Sequence, residues 1–166
     1  MSEQMESREG FDLSFDILPD DTMGAPWQEH DGHGDVSEWT TRAKRPGELV
    51  LRSDCGKRRF YDFAGSVATA LAEGWDAKPY NTGQETKRQQ AAKAARADFE
   101  RLRAWCNDEW HWCGVQVSVS RKGTHLGSAS LWGIESDAGE YLTKVAEELV
   151  PEALEAAKAH LAELIA

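Results

Sequence analysis

Two short stretches of this 166-residue sequence hold side chains of the types that do chemistry. In the first, His30, Asp31, His33 and Asp35 crowd into EHDGHGD. Imidazole nitrogens and carboxylates suit zinc or another divalent ion. The spacing fits no established site, however, and the intervening glycines leave the ligands unplaced, so the stretch reads as a loop with solvent-facing histidines. In the second, Cys106, His111 and Cys113 invite a thiol–imidazole or zinc reading. Against it, Cys106 falls on an apolar helical stripe, and His111 and Cys113 lie on a strand beside tryptophans. A core thiol behaves as a small hydrophobe. There is no Gly-rich phosphate loop with Lys and Ser/Thr, no helical His pair with an intervening Glu, and no serine elbow. The expectation is a chain with no catalytic residue, metal or cofactor. A small metal-dependent enzyme built on one of these stretches is the second alternative.

Charge is divided unevenly. The formal net charge is -10, and residues 1–38 hold 11 acidic residues against one basic residue, Arg8. Residues 39–166 hold 18 of each and are neutral. The expected organisation is a partly disordered acidic arm over 1–38 and a single domain over 39–166. A neutral body with an acidic arm points to a solvating or docking segment rather than to a nucleic-acid mimic. Asp12, Asp16, Asp20, Asp21, Asp31 and Asp35 are then the arm's candidate contacts to a partner protein with a basic surface. Inside the arm, FDLSFDIL alternates, with Phe11, Leu13, Phe15 and Ile17 on one side and Asp12, Ser14 and Asp16 on the other. That is a half-buried strand, able to add to a sheet edge of its own fold or of a partner.

The element that organises the rest is a long helix. Thr82 and Glu85 have capping-box spacing, and the sequence behind them lacks Gly and Pro through Cys106. Ala91, Ala95, Phe99, Leu102 and Cys106 form an apolar stripe, opposite a charged face with Lys93, Arg96, Glu100 and Arg103. The chain then turns at Asn107-Asp108 into WHWCGVQVSVS, where Trp110 and Trp112 are out of phase with Val115, Val117 and Val119. A bulge at Cys113-Gly114 would put both sets in the core. In the alternative, Trp110 and Trp112 face outward and bind the partner.

Shorter elements flank this segment. GELVLRS and RRFYDF make a hairpin about Asp54-Cys55-Gly56-Lys57, with Lys57, Arg58 and Arg59 at its tip. Together with Lys93, Arg96 and Arg103 they offer a nucleic-acid-binding alternative, which the body's neutral balance disfavours. FAGSVATALAEG is a short helix with Val67 and Leu71 on its apolar side and Gly74 as its stop. The loop after it is anchored by Trp75 and Tyr80. Arg121-Lys122-Gly123-Thr124 turns a second hairpin, and Asp137 and Glu140 repeat the capping-box spacing before a helix interrupted or restarted at Pro151. That C-terminal helix packs on the sheet or offers a homodimer face. The fold class is α+β: two antiparallel hairpins (48–63 and 110–134) in one sheet, covered on one face by three helices (64–74, 85–106 and 138–165).

No apolar run is long enough to span a bilayer, and the N-terminus lacks the regions of a signal peptide. Three cysteines at no framework spacing fit a reducing, cytoplasmic compartment. The segments EGWDAKPYN, AAKAARADFERLRAWCNDEW, GVQVSVS and ASLWGIESDAGEYLTKVAEEL resemble a family of small accessory proteins carried by tailed bacteriophages, over roughly residues 45–150. The resemblance supplies no catalytic residues. It implies the cytoplasm of an infected bacterium and, by analogy, a non-catalytic protein that binds and inhibits or modulates a host complex such as restriction or CRISPR machinery.

Overall fold

The computed structural model describes residues 2–76 and 81–166, so the anchoring expected of Tyr80 lies outside the described residues. The class is α+β, and the chain forms two compact units: Met1–Met23 with Trp110–Ala166, and Gly24–Glu109.

The first unit is a four-stranded antiparallel sheet in the order β1-β2-β5-β6, from β1 (Glu3–Gln4), β2 (Asp12–Pro19), β5 (Trp112–Arg121) and β6 (Thr124–Glu135). Alternation in FDLSFDIL makes β2 as expected, and Phe11, Leu13 and Phe15 are buried, whereas Ile17 is 43% exposed. β2 runs beside β5 from Asp12↔Ser120 to Pro19↔Cys113, as an interior strand. Residues 3–10 fold back on it: Glu3 pairs with Phe15, Gln4 with Ser14, and Glu9 and Gly10 take positive φ at the turn. An acidic arm ending at residue 38 is therefore corrected. Its first half is sheet, because a half-buried strand with three large apolar side chains needs a partner strand and a covering layer.

That layer is α4 (Glu140–Leu164), which continues through Pro151 and buries Leu142, Val145, Leu149, Val150, Ala153, Leu154 and Ala157. Its apolar face is thus occupied within its own unit, leaving Leu164 and Ile165 exposed at the end. Gly127 sets how closely the helix approaches, since a Cβ there would stand 2.5 Å from the backbone nitrogen of Ala157. The expected cap at Asp137 is absent: Gly139 is the N-cap, with no side-chain bond.

The bulge expected at Cys113-Gly114 does not form: Trp112 stays on the face opposite the valines, and the irregularity lies on the neighbouring strand. Val115 pairs with Leu131 and Cys113 with Ile134, so the extra residue lies in β6 at Trp132-Gly133, opposite Gly114. β5 itself stays regular against β2, which places Cys113 on the same face as Val115, Val117 and Val119. Trp132 lies across Gly114, where a Cβ would come within 2.1 Å of its ring.

The second unit holds a separate two-stranded sheet, β3 (Glu48–Asp54) and β4 (Lys57–Asp62), rather than sharing one sheet with the later hairpin. Cys55 and Gly56 both take positive φ at the turn, as a two-residue hairpin loop requires. The chain before it lies along β4 through Val36↔Tyr61 and Thr40↔Arg58 bridges. α2 (Phe63–Glu73) ends at left-handed Gly74 and buries Ser66 and Ala70, leaving Leu71 exposed. α3 (Lys87–Cys106) buries the expected stripe plus Ala94. Its capping box is Thr86 with Gln89. Thr82 and Glu85 do bond each other, one turn too early to be the cap. A four-residue helix, α1 (Pro26–Glu29), completes the unit.

Candidate functional site

In the Gly24–Glu109 unit, one carboxylate gathers three elements. Asp98, beside the buried stripe of α3, accepts from the Tyr61 hydroxyl at 2.7 Å and from the Gly34 backbone N–H at 2.8 Å. Its other oxygen is 2.6 Å from His33 Nδ1. Tyr61 is fully buried and also donates toward the Ala95 carbonyl at 3.2 Å. Burial pushes its hydroxyl well above the ordinary phenolic range, and the Asp98 carboxylate adds to the shift. Ser66, beside this group, donates its hydroxyl proton to the Asp62 carbonyl at 2.6 Å. An imidazole oriented by a carboxylate is how a general base is held, and here the neighbouring Tyr61 and Ser66 hydroxyls donate to Asp98 and to the Asp62 carbonyl. The group clasps the 33–36 loop to α3 and β4.

A second cluster in the same unit is aromatic and cationic. The Arg59 guanidinium lies over the rings of Trp27 (5.3 Å) and Trp39 (5.1 Å), and Trp27 meets Trp105 edge to face at 5.7 Å. All four side chains are half-buried. Arg52 is the cross-strand partner of Arg59. Cys106 lies near both arginines, but burial outweighs them and raises its thiol pKa.

The acidic residues expected to meet a partner have different fates. Asp12 and Asp16 lie on the face of β2 opposite Leu13 and Phe15, and Asp16 accepts from the Ser2 hydroxyl at 2.6 Å. Asp20 is corrected as a contact: it is 8% exposed and accepts from Thr22 and from the Gly133 N–H at 3.0 Å, which lower its pKa. It holds the β6 bulge. Asp21, Asp31 and Asp35 are exposed, the last two in the other unit. Trp110 and Trp112 are also corrected. At 2% and 4% exposure, stacked edge to face at 5.2 Å, they present no outward surface.

The basic set for nucleic acid is largely internally neutralised. Lys93 pairs with Glu85, and Arg96 and Arg103 share Glu100. Lys57 and Arg58 are exposed at the hairpin tip. For the metal alternative, no three His, Cys, Asp or Glu side chains among the described residues are placed to hold an ion. Cys106 belongs to one unit, and His111 and Cys113 to the other. Burial raises the Cys113 thiol as well, which disfavours a thiolate.

Sequence reasoning missed Asp98, Trp27, Trp39 and Trp105 as members of these clusters. Asp98 and Trp105 flank the apolar stripe of α3, Trp27 lies in the single turn of α1, and Trp39 sits in the irregular chain before β3. The available signal was composition alone: a carboxylate and a tryptophan beside the long helix's apolar stripe, and two tryptophans in the aperiodic stretch ahead of the first hairpin. Compared with known proteins, the chain matches no family model, no curated protein and no solved structure. No helix among the described residues is long and apolar enough to cross a membrane.

Proposed function

We propose that this protein is a non-catalytic module that binds a partner protein bearing a basic surface, and that it serves a tailed bacteriophage by inhibiting or modulating a host complex in the infected cell's cytoplasm. The phage setting rests on the sequence resemblance, and restriction or CRISPR machinery is the candidate class of target. One observation carries the binding reading. The whole excess charge belongs to the unit formed by 1–23 and 110–166, which holds 15 acidic and 5 basic residues, while 24–109 holds 14 of each.

This charge is displayed on folded elements rather than on a loose arm. Glu148, Glu152 and Glu155 recur at i, i+4 and i+7 along the exposed side of α4, and Glu140, Glu147 and Glu163 are exposed on the same helix. Carboxylates carried on a folded helix present a field that steers a basic partner, and their backbone needs no ordering at contact. The carboxylates of Asp98 and Asp20, by contrast, are occupied by structural bonds.

The test is affinity capture from a nuclease-treated bacterial lysate with the wild type and with a Glu148→Lys/Glu152→Lys/Glu155→Lys variant. The wild type is expected to retain a defined protein that the folded variant loses. Equal capture by both, or capture that nuclease abolishes, overturns the reading.

A further inference from the structure

We propose that the Gly24–Glu109 unit carries a distinct receptor for carboxylate side chains, in which Arg59, held between Trp27 and Trp39, and its cross-strand neighbour Arg52 grip an acidic segment of a partner protein. The site uses none of the acidic residues invoked above.

The first observation is a conflict that the fold does not resolve internally. Arg52 and Arg59 stand directly opposite each other across the β3–β4 ladder. Like charges in that position repel and destabilise the pairing. A carboxylate intervenes where two other arginines of this unit are brought together, as Glu100 does for Arg96 and Arg103. Among the described residues, neither the Arg52 nor the Arg59 side chain has a hydrogen bond or an ion pair, and the Arg59 Nε is buried without a partner.

The second observation is pre-organisation. Two indole faces hold the Arg59 plane, which cuts the rotamer freedom that a long side chain would lose on binding. Guanidinium presents a planar fork that matches a carboxylate with two parallel N–H···O bonds. Trp27, Trp39 and Trp105 are half-buried, so an apolar residue flanking the acid has ring surface to cover.

The chemistry selects a peptide carboxylate over nucleic acid. Stacking bases need free aromatic faces, and Arg59 already lies over the rings of Trp27 and Trp39. Nucleic-acid binding also draws on a broad positive field, whereas this unit is neutral and the chain carries -10.

The experiment titrates the ¹⁵N-labelled full chain with the blocked hexapeptide Asp-Glu-Phe-Asp-Glu-Leu, following the Arg59 Nε–H and the tryptophan indole N–H signals. Parallel titrations use the same peptide with Asn and Gln replacing its acids, inorganic phosphate, and octathymidylate. The acidic peptide should shift these signals saturably, with the Asn/Gln peptide at least tenfold weaker. Arg52→Gln, an exposed substitution outside the tryptophan sandwich, should weaken binding at least tenfold with the spectrum otherwise unchanged. Arg59→Lys, which keeps the charge and loses the fork, should do the same. No saturable shift with the acidic peptide overturns the proposal. So does equal binding by phosphate, which would mark a general anion site, tighter binding by octathymidylate, or an Arg52→Gln variant that binds like the wild type.

Discussion

The Tyr61 hydroxyl donates to the Asp98 carboxylate at 2.7 Å across the core of the Gly24–Glu109 unit, joining β4 to α3 through two side chains 37 residues apart. A buried hydroxyl without this acceptor, or the carboxylate without this donor, costs about 1–3 kcal/mol. Tyr61→Phe should therefore lower stability by about that amount in urea denaturation. Asp98→Ala should cost more, because it also strands the Gly34 N–H and the His33 imidazole. A Tyr61→Phe variant as stable as the wild type would mean the bond contributes nothing net.

Removal of residues 2–38 tests the organisation of the first unit. A dispensable arm would leave a folded 39–166 fragment. Here β2 is interior, and its Phe11, Leu13 and Phe15 belong to the main core cluster. The fragment should lose dispersed NMR signals and aggregate through the uncovered edge of β5. A well-dispersed spectrum from 39–166 would contradict the strand order.

Gly127 sets the seat of α4. With a Cβ only 2.5 Å from the Ala157 nitrogen and 2.9 Å from its Cα, Gly127→Ala must push the helix away from the sheet. Overpacking of this kind costs about 1–3 kcal/mol. Gly123→Ala is the comparison, since nothing lies within 4 Å of its Cβ and only the turn's φ is strained. Thermal melts in which Gly127→Ala is neutral would mean the helix has room to shift.

Acid should weaken the fold through two carboxylates. The Arg42 guanidinium holds Glu48 at about 2, with the Arg45 N–H assisting, and Lys93 with the Thr82 N–H holds Glu85 at about 2. Both lie below the ordinary 4.5, so between these values the unfolded chain binds more protons than the folded one. The associated stability is complete above 4.5 and is lost as pH falls toward about 2. Urea midpoints measured across that window should fall, and Arg42→Ala should make the fall shallower. An identical pH profile for the variant would remove Glu48 as a cause.

Local patterns in this sequence were legible wherever the period of one element decided burial. The stripe from Ala91 to Cys106, the alternation from Phe11 to Phe15 and the Gly56 and Gly123 turns all came through. Pairing over long separations was not legible. Nothing in FDLSFDIL says that it lies beside GVQVSVS a hundred residues away, because any strand with one apolar face could take that place. The two candidate caps, Thr82/Glu85 and Thr86/Gln89, share one spacing, and only the backbone decides between them. The change of phase between Trp112 and Val115 suggests a bulge in β5, but the strand is regular and both of its faces are buried there, while the bulge in β6 leaves no mark on β5. Asp98 and the tryptophans about Arg59 stayed hidden because their partners are set by tertiary packing.

Binding kinetics offer the most direct test of the central claim that an acidic folded unit docks on a basic partner protein. With the captured partner immobilised, association and dissociation of the wild type and the Glu148→Lys/Glu152→Lys/Glu155→Lys variant would be followed at low and high salt. Charge steering acts mainly on association and is screened by ions. The variant should associate at least tenfold more slowly at low salt, with the difference shrinking at high salt. Identical association rates at low salt, or faster association by the variant, would contradict the account.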